Sequence, residues 1–425
     1  MAKILGTSGD DILDGTPVAD FIEAFGGDDL IRSGRGRDTV FGGWGNDTLI
    51  GGSGNDLLIA TDGLNLFLGG TGNDTLSVSE NGAPSTLHGE EGDDSIVGSR
   101  MDDEIFGGSG RDILRGGSGN DLIRTGDPGD STDIDTFADG GAGNDTVYGA
   151  GGRDRIFAGF GDDLVRGFGG GDVVRGGEGN DRLFGQRGDD TLRGGPGDDE
   201  IFGQSGVDRL IGNAGNDTLH GGGGPDTING GAGDDVIDGG RGRLLARGEA
   251  GNDRITGNAW DDQLFGQGND DTLEGGDGDD TLHGGKAEDS LFGDAGDDVI
   301  LPGTGNDRIL AGTGDDQVRL TGGVHDITLG EGADIVRWLN INARATVRDF
   351  NPDEDVLSFS AEALGNPAGP VTIEDGIDPT RNPETFYARS GGLTVISWVD
   401  AAGVETDFVT LRDVTSFDDL VLIIG

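Results

Sequence analysis

GGEGNDRLFGQRGDDTLRGGPGDD, residues 176–199, is written in a period of nine. Asp181, Asp190 and Asp199 mark the period. Glycines precede each one, and an aliphatic residue follows two positions later (Leu183, Leu192, Ile201). The same phase holds outward at Asp145, Asp154, Asp163 and Asp172, then at Asp208, Asp217, Asp226 and Asp235. After one gap it resumes at Asp253, Asp262, Asp271, Asp280, Asp289, Asp298, Asp307 and Asp316. Of the 20 positions in this register only Leu244 departs, and in its repeat the aliphatic is reduced to Ala246. An earlier block runs through Asp11, Asp20, Asp29, Asp38, Asp47, Asp56 and Asp74, with Asn65 as its one substitution; a shorter block carries Asp94, Asp103, Asp112 and Asp121. Self-similarity at a fixed short period marks a repeat architecture, to be read before any single strand or helix.

Six residues of glycine-rich turn followed by three of strand make a half-coil. Two half-coils return the chain to its starting side, one strand spacing of about 4.8 Å further on. The aliphatic residue of each repeat points inward and stacks on its equivalents. Glycine suits the turn because it enters positive φ freely; Asn or Asp just before the key aspartate (Asn46, Asn55, Asp162, Asp189) is expected there because it tolerates left-handed backbone. The predicted fold is all-β: a right-handed parallel β-roll, a solenoid of 18-residue coils. A first block spans 6–124, an irregular insertion 125–140, the main block 141–334, and a β-rich cap 335–425. A second irregular stretch, 77–89, interrupts the first block; both irregular segments read as surface loops.

Composition narrows the chemistry. Among 425 residues there are 90 glycines and no cysteine, and 81 acidic against 29 basic residues give a formal charge of −52. No run approaches the roughly 20 apolar residues of a membrane span. Such a field repels nucleic acid and anionic lipid, so the expected partner is a cation. Without cysteine, disulfides and thiolate metal sites are excluded. Residues 1–13 contain no apolar block of secretory type, so no cleavable signal is expected there. Low hydrophobicity with high charge would by itself suggest disorder, but in-phase repeats argue for a stacked fold.

Residues 18 apart stack on one edge of the roll. Asp145, Asp163, Asp181 and their successors to Asp307 form one column, and Asp154, Asp172, Asp190 and theirs to Asp316 form the other. Unpaired carboxylates at sheet spacing repel one another. A hard divalent cation between successive turns, taking one carboxylate from each and filling its shell with turn carbonyls, removes the repulsion. An all-oxygen set of six to eight ligands suits Ca²⁺ better than Mg²⁺. Sixteen such pairs in the long block, five in the first and two in the third predict about 23 ions, whose charge of about +46 nearly cancels that of the chain. In GGRGRLLARG (239–248) either a guanidinium of Arg241, Arg243 or Arg247 replaces the charge missing at Leu244, or the arginines form a plain surface patch.

From about Gly6 to Asp334 the sequence resembles the RTX family (repeats-in-toxin, haemolysin-type calcium-binding repeats), with full matches at GGSGNDLLI (51–59) and GGEGNDRLF (176–184). The resemblance implies that the sixth-position aspartates named above, and the main-chain carbonyls of the glycine segment, ligate Ca²⁺. The best-matching carbonyls are those of Gly176, Gly177, Gly179, Gly194, Gly195 and Gly197; Asn65 and Leu244 are left out. It also implies secretion through a type I exporter by an uncleaved C-terminal signal, hence an extracellular or cell-surface location. ATVRDFNPDEDVLSFS (345–360) and DFVTLRDVTSFDDLVLIIG (407–425) resemble the end of serralysin-type members, where Asp419-Leu420-Val421-Leu422 would be the export signal.

No catalytic constellation accompanies the repeats. HExxH is absent, His88, His220, His283 and His325 are isolated, and Gly51-Gly52-Ser53-Gly54-Asn55 fails the GxSxG elbow at its last position. The carboxylate spacing is accounted for by metal ligation, so a glycosidase pair is disfavoured and the chain is expected not to be an enzyme. The leading expectation is a secreted structural, matrix or surface protein whose roll folds on Ca²⁺. The alternatives are a calcium-gated module binding a cell-surface polysaccharide or protein, and the non-catalytic part of an RTX hydrolase or toxin system. Four Trp and two Tyr argue against the glycan alternative.

Overall fold

A computed structural model describes residues 1–126, 135–340, 342–351 and 353–360, together with the strands Ile373–Asp375, Thr385–Arg389, Leu393–Val399, Glu405–Arg412 and Leu422–Ile424. Two compact units, Met1–Gly223 and Gly224–Gly425, are built alike. Neither contains a helix among its described residues, and none long and apolar enough to cross a membrane is present there.

In Met1–Gly223 each coil gives one short strand to each of two parallel sheets. The first sheet begins with Ala2–Leu5, Asp20–Glu23 and Thr39–Phe41; the second begins with Ile12–Asp14, Leu30–Arg35 and Thr48–Ser53. Partners lie 18 residues apart, as in Arg182↔Glu200 and Leu183↔Ile201. The second residue after each column position fills the space between the sheets: Val165, Val174, Leu183, Leu192, Ile201 and Leu210 are all fully buried. The result is a parallel β-solenoid with a single-file core. Each layer buries little, so each coil depends on its neighbours.

The irregular segments lengthen coils without breaking the ladder. Across 77–89 the offset rises to 20 residues (Thr86↔Leu66), and across 125–140 to 24 (Ile113↔Phe137, Leu122↔Thr146). Phe137–Gly140 belong to a ladder strand, while residues 127–134 lie outside those described.

The turns correct one expectation. Asn46, Asn55, Asp162 and Asp189 are not among the residues with positive φ. Their side-chain Oδ1 instead accepts the main-chain N–H of the equivalent residue one coil on: Leu64 to Asn46 at 2.7 Å, Asn180 to Asp162 at 2.8 Å, Val207 to Asp189 at 2.8 Å. Asn and Asp recur there as acceptors that tie turn to turn. Positive φ falls on the second and fourth residues of the motif, as at Gly177 (131°) and Gly179 (127°). A Cβ at either would overlap the carbonyl oxygen of Gly159 or Gly161 in the preceding coil, so the close stacking of turns itself demands glycine.

In Gly224–Gly425 the same register runs from Asp226–Ala232 with Leu244–Ala250 onward. It continues past Asp334, where the glycine texture ends: Ile335–Trp338 pairs in parallel with Val356–Phe359, and Arg344–Val347 with Val324–Glu331. Trp338 and Phe359, stacked at 4.8 Å, fill these coils as larger core residues replace the single aliphatic. Thr385–Arg389, Leu393–Val399 and Glu405–Arg412 then form an antiparallel meander whose last strand joins Arg344–Val347 in parallel, with Val409 and Leu411 buried. Leu422–Ile424 pairs with Val356–Phe359, whereas Asp419, Leu420 and Val421 lie outside the described residues.

Candidate metal centre

The column aspartates sit at or just before the start of a strand, and all but the first, Asp11, are almost wholly buried. Most donate their main-chain N–H to Oδ1 of the aspartate one coil on, while Asp47 donates to Asn65 and Asp112 to the Thr136 hydroxyl. In Met1–Gly223 these bonds run Asp145 to Asp163 at 2.7 Å, Asp163 to Asp181 at 2.9 Å and Asp172 to Asp190 at 2.7 Å. In Gly224–Gly425 they run Asp253 to Asp271 at 2.8 Å and Asp280 to Asp298 at 2.8 Å. One carboxylate oxygen is thereby consumed in holding the coils together.

The other oxygen divides the aspartates into two kinds. In Asp29, Asp38, Asp47, Asp56, Asp74, Asp94, Asp121, Asp145, Asp163, Asp172, Asp181, Asp190 and Asp199, Oδ2 is buried with no hydrogen-bond donor, and the same holds for Asp253, Asp271, Asp280, Asp289, Asp298 and Asp316. Asp112, Asp208, Asp217, Asp226 and Asp235 occupy the same buried column positions. A side chain at Gly176 or Gly194 would collide with Oδ2 of Asp181 or Asp199, and the Gly194 carbonyl also lies 2.9 Å from the place a Gly176 Cβ would take. Carboxylate and main-chain oxygens thus converge on the turn, and the carbonyls of Gly159, Gly161, Gly177 and Gly179 face the coil that follows.

Five predicted ligands differ. Asp11, Asp20, Asp103, Asp154 and Asp262 have Oδ2 filled by the N–H four residues earlier: Thr7 (2.5 Å), Thr16 (2.6 Å), Ser99 (2.6 Å), Ala150 (2.9 Å) and Asn258 (3.0 Å). The cause is backbone handedness. In the open repeats the residue four before the aspartate has positive φ (Gly177, Gly195, and even Phe168, Gln186 and Glu249), which turns its N–H away; none of these five does. The signal was present in the motif's second position but weakened by Phe, Gln and Glu taking the glycine's place.

Other rungs fill the space without an ion. The Asn65 amide donates to the carbonyls of Asp62 (3.1 Å) and Gly63 (2.9 Å). Leu244 packs its side chain into the column against Gly239, while Arg243 lies outside and pairs with Asp261 at 2.7 Å, so no guanidinium enters the gap. Ser85 and Thr136 take column positions within the lengthened coils. Buried His325 stands 18 residues after Asp307 with Nδ1 3.0 Å from Asp307 Oδ2 and Nε2 on the Gly322 carbonyl. Asp334, beyond the last predicted ligand, continues its column by accepting from Asp316 at 2.8 Å, with an open Oδ2.

Electrostatically, the open columns demand a cation. Burial, reinforced by neighbouring column carboxylates and only partly opposed by the accepted N–H, pushes Asp121, Asp172, Asp181, Asp271 and Asp280 up to about 8. Among the described residues no group of three or more His, Cys, Asp or Glu side chains converges as a metal site. An ion here would take most of its oxygens from the main chain. That donor set is hard, anionic and all-oxygen, which fits Ca²⁺.

A family model for the RTX calcium-binding nonapeptide repeat matches residues 5–40, 41–76, 88–123, 132–165, 166–201, 175–210, 184–219, 211–243, 246–273, 265–300, 274–309 and 301–336. A search of curated proteins found no match.

Proposed function

The chain belongs to the RTX calcium-binding nonapeptide repeat family, and on that premise we propose that it is a secreted, non-catalytic structural or surface protein whose coils fold as Ca²⁺ enters their turns. Carboxylate oxygens buried without a donor carry this reading. Left ionised and bare, each destabilises the fold; a divalent ion shared with turn carbonyls reverses the sign. Export through a type I system, with the signal at the C-terminal end, belongs to the same reading and draws on the resemblance of 345–360 and 407–425 to serralysin-type members.

Five of the 23 aspartate pairs spaced by 18 include a carboxylate already filled by a main-chain N–H, so about 18 ions at most are expected. Extracellular modules bind Ca²⁺ with Kd of about 10⁻⁴–10⁻³ M. At tenfold excess each site contributes about 1.4 kcal/mol by mass action, so the set could contribute about 25 kcal/mol at most. That exceeds the stability of an ordinary domain. Binding and folding become one event, as in other metal-dependent folds. Far-UV circular dichroism across a calcium titration tests it: β-structure is expected to grow cooperatively with Ca²⁺, and a solenoid fully formed in excess chelator at neutral pH would refute it.

A further inference from the structure

The outward face of the second sheet in Met1–Gly223 carries a second ladder, unrelated to the metal columns. Phe106, Arg124, Tyr148, Arg166, Phe184 and Phe202 are directly opposed partners in successive parallel strands. The Arg124 guanidinium lies over Phe106 (5.8 Å) and Tyr148 (5.4 Å), and Arg166 over Tyr148 (5.8 Å) and Phe184 (5.7 Å). Phe184 and Phe202 stack at 4.9 Å with planes 2° apart. An imidazole closes each end, His88 on Phe106 at 4.4 Å and His220 on Phe202 at 4.8 Å. Eight rungs at strand spacing make a stripe about 34 Å long.

Cross-strand pairing alone does not explain it. Three surface arginines of this unit pair with carboxylates, Arg32 with Asp14, Arg100 with Glu80 and Arg182 with Glu200. Arg124 and Arg166 have no such partner among the described residues. Nor does the fold require the stripe, since the equivalent ladder of Gly224–Gly425 reads Asp238, Thr256, Glu274, Phe292, Leu310 and Thr328. Rings and guanidiniums stacked along the sheet turn their edges to solvent. Ring edges are electropositive and guanidinium edges are N–H donors, so the stripe offers anions a continuous row of positive edges on an otherwise acidic surface.

We propose that this stripe is a binding track for a linear acidic polysaccharide of the uronate type, with sugar carboxylates on Arg124 and Arg166 and sugar C–H surfaces along the intervening rings. Uronate carboxylates are also hard oxygen ligands that favour the Ca²⁺ of the adjoining turns, so the track rests on the calcium-loaded fold proposed above. Single-stranded nucleic acid also uses aromatic and cationic tracks, but its bases need open ring faces, and here the faces of Phe106, Tyr148, Phe184 and Phe202 are covered by neighbouring rungs.

Calorimetric titration of the full chain with oligogalacturonate at saturating Ca²⁺ tests the track, with circular dichroism on the same samples. R124A/R166A is expected to weaken binding at least about tenfold, the equivalent of two charge-assisted contacts, while keeping its β-structure; R100A, outside the stripe, is expected to bind as the parent does. A folded chain that ignores oligogalacturonate, a double variant that binds unchanged, equal binding of a neutral maltooligosaccharide, or tighter binding of oligo-dT would each overturn the track. Because folding is read separately, a solenoid that persists in chelator would defeat calcium-driven folding without touching this result.

Discussion

At the residue scale, one torsion four positions before each aspartate decides whether its carboxylate faces an ion or an amide. Ser99→Gly should free Oδ2 of Asp103 and raise the bound calcium by one ion, read by native mass spectrometry; an unchanged count would show that the torsion does not control the site. Asn65→Asp should do the opposite things in two conditions. In chelator it buries a charge and loses two amide hydrogen bonds, costing about 1–3 kcal/mol; in saturating Ca²⁺ it should recover that loss and add an ion. Protons provide a third lever. Asp172 and Asp181 titrate at about 8 in the folded chain against 3.8 ordinarily, so the folded state holds more protons. The ion-free coil is therefore favoured fully below about pH 4 and loses that support as pH rises from about 4 to about 8. In chelator, β-structure should increase on acidification, and the calcium-binding midpoint of the folded chain should move to higher Ca²⁺ as pH falls, because protons compete for the same carboxylates.

At the scale of the element, each strand has room for one core side chain, and that side chain carries its layer. Leu183→Ala removes most of the apolar filling between two half-coils, at about 2–4 kcal/mol. Denaturant titration in saturating Ca²⁺ should show this as a lower midpoint with little change in slope. The lengthened coils at 77–89 and 125–140 show how tolerant the element is, since offsets of 20 and 24 residues rejoin the same register. Past Asp334 the motif disappears but the coil does not, because Trp338, Val347, Leu357 and Phe359 supply by bulk what the ions supply upstream.

At the scale of the whole molecule, a charge of −52 makes the ion-free chain a self-repelling polymer. An unfolded chain of 425 residues has a radius of gyration near about 75 Å, and self-repulsion enlarges it. Small-angle scattering should show contraction on adding Ca²⁺ that Mg²⁺ at equal concentration does not reproduce. Equal contraction with both ions would mean simple charge screening.

Periodicity alone determined the parallel coil of 18 residues, the two aspartate columns and the inward aliphatic file, because all three follow from which residues recur in phase. Handedness at the turn, hydrogen bonds between coils and the contents of each outward face depend on what lies one coil away, so only the tertiary structure could decide them. It separated Asp103 and Asp154 from Asp163 and Asp181, put Leu244 rather than an arginine into the gap, and assembled Phe106, Arg124, Tyr148 and Arg166, scattered through the chain, into one stripe.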